Sequence, residues 1–226
     1  MFAIHFQLCQ YLIYQGSRKN MSGSSSQAHL AYLALESLIV TLKLKPGSLV
    51  TEKQLIDLAG HGRTPVREAI QKLSWQGLIE IRARVGLQVT LIKPDDHRHV
   101  MQVRRTLEPI AAALVAEHAS AEARAAMIEC AQTMTACSIN ADMEGFLAAD
   151  KAFDEIMEAT CPNAFLTSAL APLQTHARRL WFSAASMQRM DRSVEMHVKV
   201  IRAVNQADPK AASSAMENLM DYLGER

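Results

Sequence analysis

A mainly α protein is predicted, in which an N-terminal winged helix-turn-helix precedes an all-α bundle of six helices. Apolar residues recur at helical spacing along most of the chain, and only residues 78–92 alternate between apolar and polar side chains as a β-hairpin does. Of the 226 residues, 49% are hydrophobic, which is enough for a real core, and the formal net charge is only +1. Any surface that binds a polyanion must therefore be local.

The first two predicted helices have recognisable ends. Apolar residues at helical spacing indicate a helix over residues 30–42, which the dipeptide Pro46-Gly47 keeps from continuing. The segment Thr51-Glu52-Lys53-Gln54 is a capping-box pattern, so a second helix is expected over residues 51–59. Gly60 then provides its stop.

The third helix, over residues 64–75, is the one that points to a function. Thr64 is expected to cap it and Pro65 to take its first position, where no backbone N–H is needed. Arg63 and Arg67 lie near one another on the face opposite the apolar one, where two guanidinium groups suit phosphates and guanine edges. Taken alone, such a pair is more often an ordinary solvated helix face.

A two-stranded hairpin follows, with strands over residues 79–82 and 87–91, and it completes the winged helix-turn-helix. From residue 30 to residue 92 there are eight Lys and Arg against five Asp and Glu, an excess of three positive charges. A modest local excess of this kind is typical of a DNA-contacting module.

Beyond residue 94 the pattern is helical throughout. Six helices are predicted, over residues 96–118, 121–137, 140–159, 163–185, 190–206 and 208–223. The chain therefore divides into a disordered or extended tail (residues 1–28), a DNA-binding domain (29–93) and an all-α domain (94–226). Residues 1–20 are interpreted as an upstream extension or an early start.

Two motifs resemble those of the GntR family of bacterial transcriptional regulators. They are Thr51-Glu52-Lys53-Gln54-Leu55 and the run from Gly62 to Ala69, Gly-Arg-Thr-Pro-Val-Arg-Glu-Ala. The segment Val103-Arg104-Arg105-Thr106-Leu107-Glu108-Pro109 is similar to the FCD effector domain of the FadR subfamily, and six helices suit its VanR-like branch. The resemblance implies a cytoplasmic homodimer that binds a palindromic operator on double-stranded DNA and responds to a small carboxylate effector.

The resemblance also implies which residues contact DNA. Arg63, Thr64 and Arg67 match the family's DNA-contacting positions on the recognition helix, and Gly86 matches the glycine at the tip of the wing. Lys53 stands where the family usually has Arg, so it keeps the charge without the planar fork that reads guanine. Gly62 replaces the usual Ser.

A metal site is the second implication, with an altered ligand set. The family commonly holds a divalent metal with an Asp and a His four residues later, plus a His on each of two later helices. Here Asp150 and Asp154 form the pair, His197 matches the first later His, and Leu219 falls where the last is expected. Two carboxylates and one imidazole can still hold Zn, Ni or Mn, and a metal-free pocket is the equal alternative.

Effector contacts are implied for Arg104, Asp150 and His197, because a guanidinium facing a metal or an acid can bind a carboxylate through two hydrogen bonds. The competing interpretation of Arg104 is a surface pair with Glu108, four residues later on the same helix. Arg178 and Arg179 are further cationic candidates, whereas His176 is more simply an ordinary helix histidine.

Other functions are less well supported by the sequence. A metal-dependent helical enzyme with an appended nucleic-acid-binding domain is the alternative, but no HExxH motif, nucleophile motif or phosphate loop is present. An architectural DNA binder would leave the large bundle without a role. No apolar run reaches the length of a membrane span, and the four cysteines show no CxxC spacing, as expected of reduced thiols in the cytoplasm.

Overall fold

The computed structural model describes residues 26–225, which form nine helices and three short strands. In chain order the elements are α1 Gln27–Val40, β1 Leu49–Val50, α2 Glu52–Ala59, α3 Arg63–Trp75, β2 Ile79–Arg82, β3 Gly86–Val89, α4 Asp96–His118, α5 Ala121–Ile139, α6 Met143–Thr160, α7 Ala164–Ser183, α8 Met187–Asn205 and α9 Pro209–Gly224. The predicted mainly α class is confirmed. The expected boundary after residue 28 falls inside the first turn of α1, and the interpretation of residues 1–20 lies outside the described residues.

The helix-turn-helix is formed by α2 and α3, and local hydrogen bonds set both ends of α2. Gln54 donates its backbone N–H to the Thr51 hydroxyl, and its side-chain oxygen accepts the backbone N–H of Thr51 at 2.8 Å, as the capping-box pattern predicts. Gly60 ends the helix in the left-handed conformation, with φ of 68°. This turn brings the start of α3 beside the start of α2.

The start of α3 differs from the prediction. The helix begins at Arg63 with Gly62 as its N-cap, and no side chain caps it. Thr64 lies one residue inside the helix, so its hydroxyl is not the cap that was expected. Pro65 does not remove a hydrogen bond from α3, because the backbone N–H groups of a first helical turn have no partner within the helix.

The wing is a three-stranded antiparallel sheet in the order β1-β3-β2, where only the β2-β3 hairpin was expected. Leu49 and Val50 of β1 pair with Gln88 and Leu87 of β3. Two residues are too few to produce a visible alternation in the sequence, so β1 is defined only by its partner strand. The extra strand ties the wing to the segment between α1 and α2.

The six predicted helices of the bundle are all present as α4 to α9. Their ends differ from the expected ones by at most three residues. The core between them is continuous and includes the fully buried side chains of Met127, Met134, Phe153 and Met190. None of the helices among residues 26–225 is long and apolar enough to cross a membrane.

The two domains have separate apolar cores, and mainly polar contacts join them. One core lies within residues 31–89 and the other within the bundle, which Val40 at the end of α1 also joins. Across the interface, Lys43 pairs with Glu144 at 2.7 Å, and both are exposed. Arg179 of α7 donates to both the hydroxyl and the carbonyl oxygen of Thr90, just after β3. Helix α7 is therefore the main support of the DNA-binding domain.

Two glycines beside α3 are expected to respond differently to substitution. Gly60→Ala should lower the free energy of unfolding by about 1 to 2 kcal/mol, because its left-handed backbone disfavours a Cβ although no atom lies within 4 Å of one. Gly62→Ser should change it by no more than about 0.5 kcal/mol, since Gly62 has an ordinary extended backbone. Urea unfolding of both variants checks this, and equal effects would contradict it.

Candidate functional site

The N-terminal end of α3 presents the predicted arginines to solvent. The side chains of Arg63 and Arg67 are 77% and 67% exposed, and Lys53 and Thr64 nearby are exposed as well. Because Val66 and Ala69 bury the opposite face against the domain core, the helix can turn only this side outward. The four residues form one surface that can meet a nucleic acid.

Glu52 belongs to the same surface and was not expected there. Its carboxylate lies 3.2 Å from Arg63 Nε and 3.7 Å from Arg67 Nε, so the first turn of α2 holds both guanidinium groups in place. Exposed pairs of this kind contribute little stability, and a phosphate can replace the carboxylate. In the sequence, Glu52 is only one position of the capping-box segment, and its spacing indicates no contact with Arg63 or Arg67.

Gly86 takes a backbone conformation that other residues avoid, with φ of 116°, where the turn of the wing enters β3. A Cβ there would lie 3.7 Å from the carbonyl oxygen of Val50, which is an ordinary contact distance. Glycine is therefore favoured at this position by its backbone conformation and not by a lack of space. Arg84, at the turn itself, has φ of 66° and is exposed. The wing thus offers a cation beside the glycine that the sequence singled out.

A cavity of about 330 Å³ lies inside the helical bundle. Its wall is formed mainly by α4, α6, α7 and α8, and it includes Arg104, Phe146, Asp150, Arg178, Trp181, Arg189 and His197. The predicted effector residues Arg104, Asp150 and His197 therefore share one cavity. A volume of this size suits a small ligand.

The polar side of this cavity is a cluster of four buried charged groups. His197 Nε2 lies 3.0 Å from Asp150 Oδ1, and the other ring nitrogen contacts the Ser193 carbonyl oxygen at 2.8 Å. Arg178 donates to Asp154 at 2.5 Å and to Asp150 at 3.4 Å. Edge-on contacts from Phe146 and Phe153 fix the imidazole ring.

The electrostatics of this cluster separate the two carboxylates. Burial opposes the ionisation of Asp150, yet its hydrogen bond to His197 and the nearby Arg178 guanidinium lower its pKa to about 2. Burial and the neighbouring Asp150 carboxylate raise the pKa of Asp154 to about 7, and Arg178 offsets only part of this. Burial also disfavours the charged imidazole, but Asp150 raises the pKa of His197. Asp154 is thus the weaker acid of the two, and Asp150 is the carboxylate that stays ionised beside Arg178 and His197.

The three predicted metal ligands come together, but their arrangement does not fit a metal ion. The Arg178 guanidinium lies against both carboxylates, where a metal would have to bind, and Leu219 is buried in the core. Among residues 26–225 no group of three or more His, Cys, Asp or Glu side chains is placed to hold a metal. This arrangement therefore gives no support to a divalent metal at Asp150, Asp154 and His197, and direct metal analysis of the protein tests that hypothesis.

Arg104 forms the predicted pair with Glu108, but the pair is buried and not on the surface. The two side chains are 9% and 2% exposed and meet at 2.9 Å. Gln174 donates to the same Glu108 oxygen at 3.2 Å. Arg104 thus lines the cavity and is ion-paired with Glu108 at the same time. The position at the cavity and the pair with Glu108, which were competing interpretations, are both present.

Three further cavity residues were missed or undervalued in the sequence. Arg178 was only a secondary candidate, although its guanidinium is the central cation of the cluster. Trp181 and Arg189 also line the cavity, and the buried Trp181 Nε1 and Arg189 Nε have no hydrogen-bond partner in the described part of the chain. His176 lies elsewhere, because its Nε2 contacts the Gln76 carbonyl oxygen at 2.8 Å. Arg178 and Trp181 are three residues apart on one face of α7, but only helix packing brings them to Arg189 on α8.

Family models match two parts of the chain. Residues 27–89 match the model described as bacterial regulatory proteins, gntR family, and residues 99–222 match the FCD domain. The two matches correspond to the helix-turn-helix domain and to the helical bundle that contains the cavity.

Similar proteins are known among curated sequences and solved structures. The chain is 30% identical over 176 residues to the probable D-xylose utilization operon transcriptional repressor of Paenarthrobacter nicotinovorans, which covers 77% of this chain and 76% of that protein. It is 25% identical to the HTH-type transcriptional repressor NanR of Edwardsiella tarda, over 84% of this chain and 80% of that one. The structure of McbR/YncC from E. coli has a TM-score of 0.75 at 18% identity, covering 88% and 95%, which is a likeness of fold.

The lowered pKa of Asp150 predicts a pH-dependent contribution to stability. Because the folded-state pKa of about 2 lies below the ordinary value, this carboxylate stabilises the fold above about pH 4, and its contribution disappears as the pH falls towards 2. Asp150→Asn should therefore be destabilising near neutral pH, by about 2 kcal/mol for this effect. The difference from wild type should shrink as the pH falls from 5 to 2.5.

Urea unfolding across that pH range measures the difference, and Asp57→Asn, at an exposed carboxylate on α2, is the matched control. A stability difference for Asp150→Asn that does not change with pH would contradict the assigned shift.

Proposed function

Because the chain belongs to the GntR family of bacterial regulatory proteins and carries an FCD domain, we propose that a small organic acid controls its binding to DNA. As a member of this family it is a DNA-binding transcriptional regulator and not an enzyme, and its named relatives are regulators. The finer proposal is that a cytoplasmic homodimer binds a palindromic operator and that an acid in the bundle cavity changes its affinity for that operator.

The observation that carries this proposal is a cavity of about 330 Å³ with cationic side chains in its wall. The guanidinium groups of Arg104 and Arg178 line this cavity, and the buried Trp181 Nε1 and Arg189 Nε in its wall have no hydrogen-bond partner in residues 26–225. Buried N–H groups without partners are costly, so a ligand rich in oxygen acceptors would be favoured there. A carboxylate supplies such acceptors and the charge that two cations favour.

A metal is not needed for this binding mode. The cavity already contains the guanidinium groups of Arg104 and Arg178, which can hold a carboxylate directly. If Zn, Ni or Mn does bind, Asp150, Asp154 and His197 would hold it and the metal would supply a cationic anchor for the acid. Arg178 would then have to move away from both carboxylates.

The homodimer and the VanR-like branch are supported by the bundle. Val103 and Ile110 on α4 are seven residues apart, and both are exposed apolar side chains on one helix face. Such a face suits contact with a second copy of the chain. The six helices from α4 to α9 agree with the six-helix branch of the subfamily.

Arg67→Ala is expected to weaken operator binding by about 10- to 100-fold, because one guanidinium that reads a base edge contributes about 1 to 3 kcal/mol. The operator can be found by selecting duplexes from a random library with the full-length protein. Gel shift at physiological salt then gives the affinity. Unchanged affinity in a folded Arg67→Ala protein would remove α3 from the proposed interface.

Two further variants sharpen this experiment. Arg202→Ala removes an exposed arginine from the last turn of α8, far from α3, and should bind the operator as the wild type does. Glu52→Gln releases Arg63 and Arg67 from their shared carboxylate and should bind more tightly than wild type.

An acid effector is expected to stabilise the protein against heat. At a hundredfold excess over its Kd, a ligand should raise the Tm by about 5 to 10 °C, and Arg178→Met should abolish the shift. Acetate, lactate, succinate, citrate and gluconate form the panel. D-xylose is included because one relative is named for its utilisation. A shift with D-xylose and with none of the acids would overturn the acid proposal.

Metal analysis of the gently purified protein belongs to the same experiment. The ion-paired cluster predicts no bound Zn, Ni or Mn, and addition of these metals should leave the Tm shift of an acid unchanged. About one metal per chain in the wild type, lost in Asp150→Ala, would restore the metal hypothesis.

A further inference from the structure

A continuous chain of polar contacts, buried in its middle and half-buried at both ends, leads from the effector cavity to the end of the recognition helix α3. It passes from the cavity wall into α7, crosses to α1 and ends at the residue that follows α3. Its members are Asp150, Arg178, Thr175, Glu36, Tyr32 and Gln76. Because the two domains have separate apolar cores, this chain is a direct polar link between them.

The first part of the chain lies at the cavity. Arg178 holds Asp154 and Asp150 with Nη1, and its Nη2 donates to the Thr175 hydroxyl at 3.3 Å. One planar guanidinium therefore contacts the cavity carboxylates on one side and Thr175 on the other. When the partners of Arg178 in the cavity change, the position of its guanidinium next to Thr175, or the electrostatic field at Thr175, changes as well.

Thr175 connects Arg178 to the DNA-binding domain. Its hydroxyl donates to Glu36 Oε1 at 2.9 Å, and the Ala171 carbonyl oxygen lies at 3.3 Å as a second acceptor. A hydroxyl has one proton, so it can donate to only one of these acceptors at a time. The hydroxyl at the interface thus has two alternative acceptors, and a choice between two arrangements is what coupling between sites requires.

Glu36 is the buried carboxylate that joins Thr175 to Tyr32 in this series of polar contacts. It is only 3% exposed, and Lys151 Nζ lies 3.0 Å from its second oxygen. Burial opposes its ionisation, but Lys151 and Arg178 hold its pKa below the ordinary value. The negative charge of Glu36 is thereby stabilised by two cations of the bundle, although Glu36 itself belongs to α1 of the DNA-binding domain.

Tyr32 connects Glu36 to the recognition helix. Its hydroxyl donates to Glu36 Oε1 at 2.5 Å and lies 3.1 Å from Gln76 Oε1. Gln76 is the C-cap of α3, and Lys72 in the last turn of α3 lies over the Tyr32 ring at 3.8 Å from its centroid. Both contacts bear on the C-terminal end of α3, whose N-terminal end carries Arg63 and Arg67.

We propose that Thr175, Glu36 and Tyr32 transmit the state of the effector cavity to the recognition helix, and that Arg178 is the group through which the cavity acts on them. This rests on the proposed function, since it specifies how the cavity regulates DNA binding. An acid that binds Arg178 competes with Asp150 and Asp154 for the guanidinium. The Arg178 contact with Thr175 then changes, the Thr175 hydroxyl passes the change to Glu36, and the orientation of α3 changes with them.

Thr175→Val tests the middle of this chain, because it removes the hydroxyl and keeps the shape of the side chain. Asp150→Asn alters the cavity end. Operator affinity is measured for the wild type, each single variant and the double variant. Thr167→Val is the matched control, because within residues 26–225 the hydroxyl of this buried α7 threonine bonds only to the Ala164 carbonyl oxygen.

Asp150→Asn is expected to change the operator Kd by at least about fivefold in the wild-type and Thr167→Val proteins, a usual size for coupling between sites. In the Thr175→Val protein the same change should alter Kd by less than about twofold. No effect of Asp150→Asn on Kd, or an equal effect in all three proteins, would overturn the proposal. Tyr32→Phe, which removes the next hydroxyl, is expected to behave as Thr175→Val does and replaces it if that protein does not fold.

Hydrogen exchange gives a second measurement that needs no DNA. Asp150→Asn should change the exchange of residues 70–78 at the end of α3, and Thr175→Val should remove this response while residues 177–184 in the cavity wall still respond. A protein that selects no duplex but shows this pattern would contradict the proposed function alone. A protein that binds an operator with unchanged exchange in residues 70–78 would contradict only the link.

Discussion

The Arg178 guanidinium is the contact around which both ends of this protein are organised. It contacts Asp150 in the cavity wall and Asp154 behind it, and it reaches Thr175, which contacts the DNA-binding domain through Glu36. A buried cation of this kind is stable only while its carboxylate partners remain close, because the cost of leaving it unpaired is several kcal/mol. A ligand that offers it another carboxylate therefore competes with the protein's own side chains, which is a natural basis for a switch.

The domain interface has the chemistry that such a switch needs. Its contacts are mainly ion pairs and hydrogen bonds, such as Arg179 with Thr90 and His176 with Gln76, and the two apolar cores remain separate. Apolar packing resists small rearrangements because close-packed side chains fit in few ways, whereas a hydroxyl can exchange one acceptor for another. A polar interface can thus reorient α3 without disturbing either core.

At the proposed DNA-contacting surface, the arginines form only weak, exposed ion pairs. Glu52 contacts Arg63 and Arg67, which keeps two flexible side chains near the start of α3 while leaving them exposed. The contribution of such pairs in water is small, so replacing the carboxylate by phosphate costs little. The same surface lies at the end of α3 opposite to Tyr32 and Gln76, so in the proposed link a displacement at one end of this helix moves the other end.

The sequence by itself determined the fold class, the six helices of the bundle and the exposed arginines, because helical spacing, capping boxes and glycine stops are local signals. It also placed Arg104, Asp150 and His197 in one cavity, although only through a family resemblance. Only the tertiary structure decided that α3 begins at Arg63, that β1 joins the wing, and that Arg178 lies where the predicted metal would bind. These features depend on contacts between distant segments, such as α1 with α7, and no spacing along the chain encodes them.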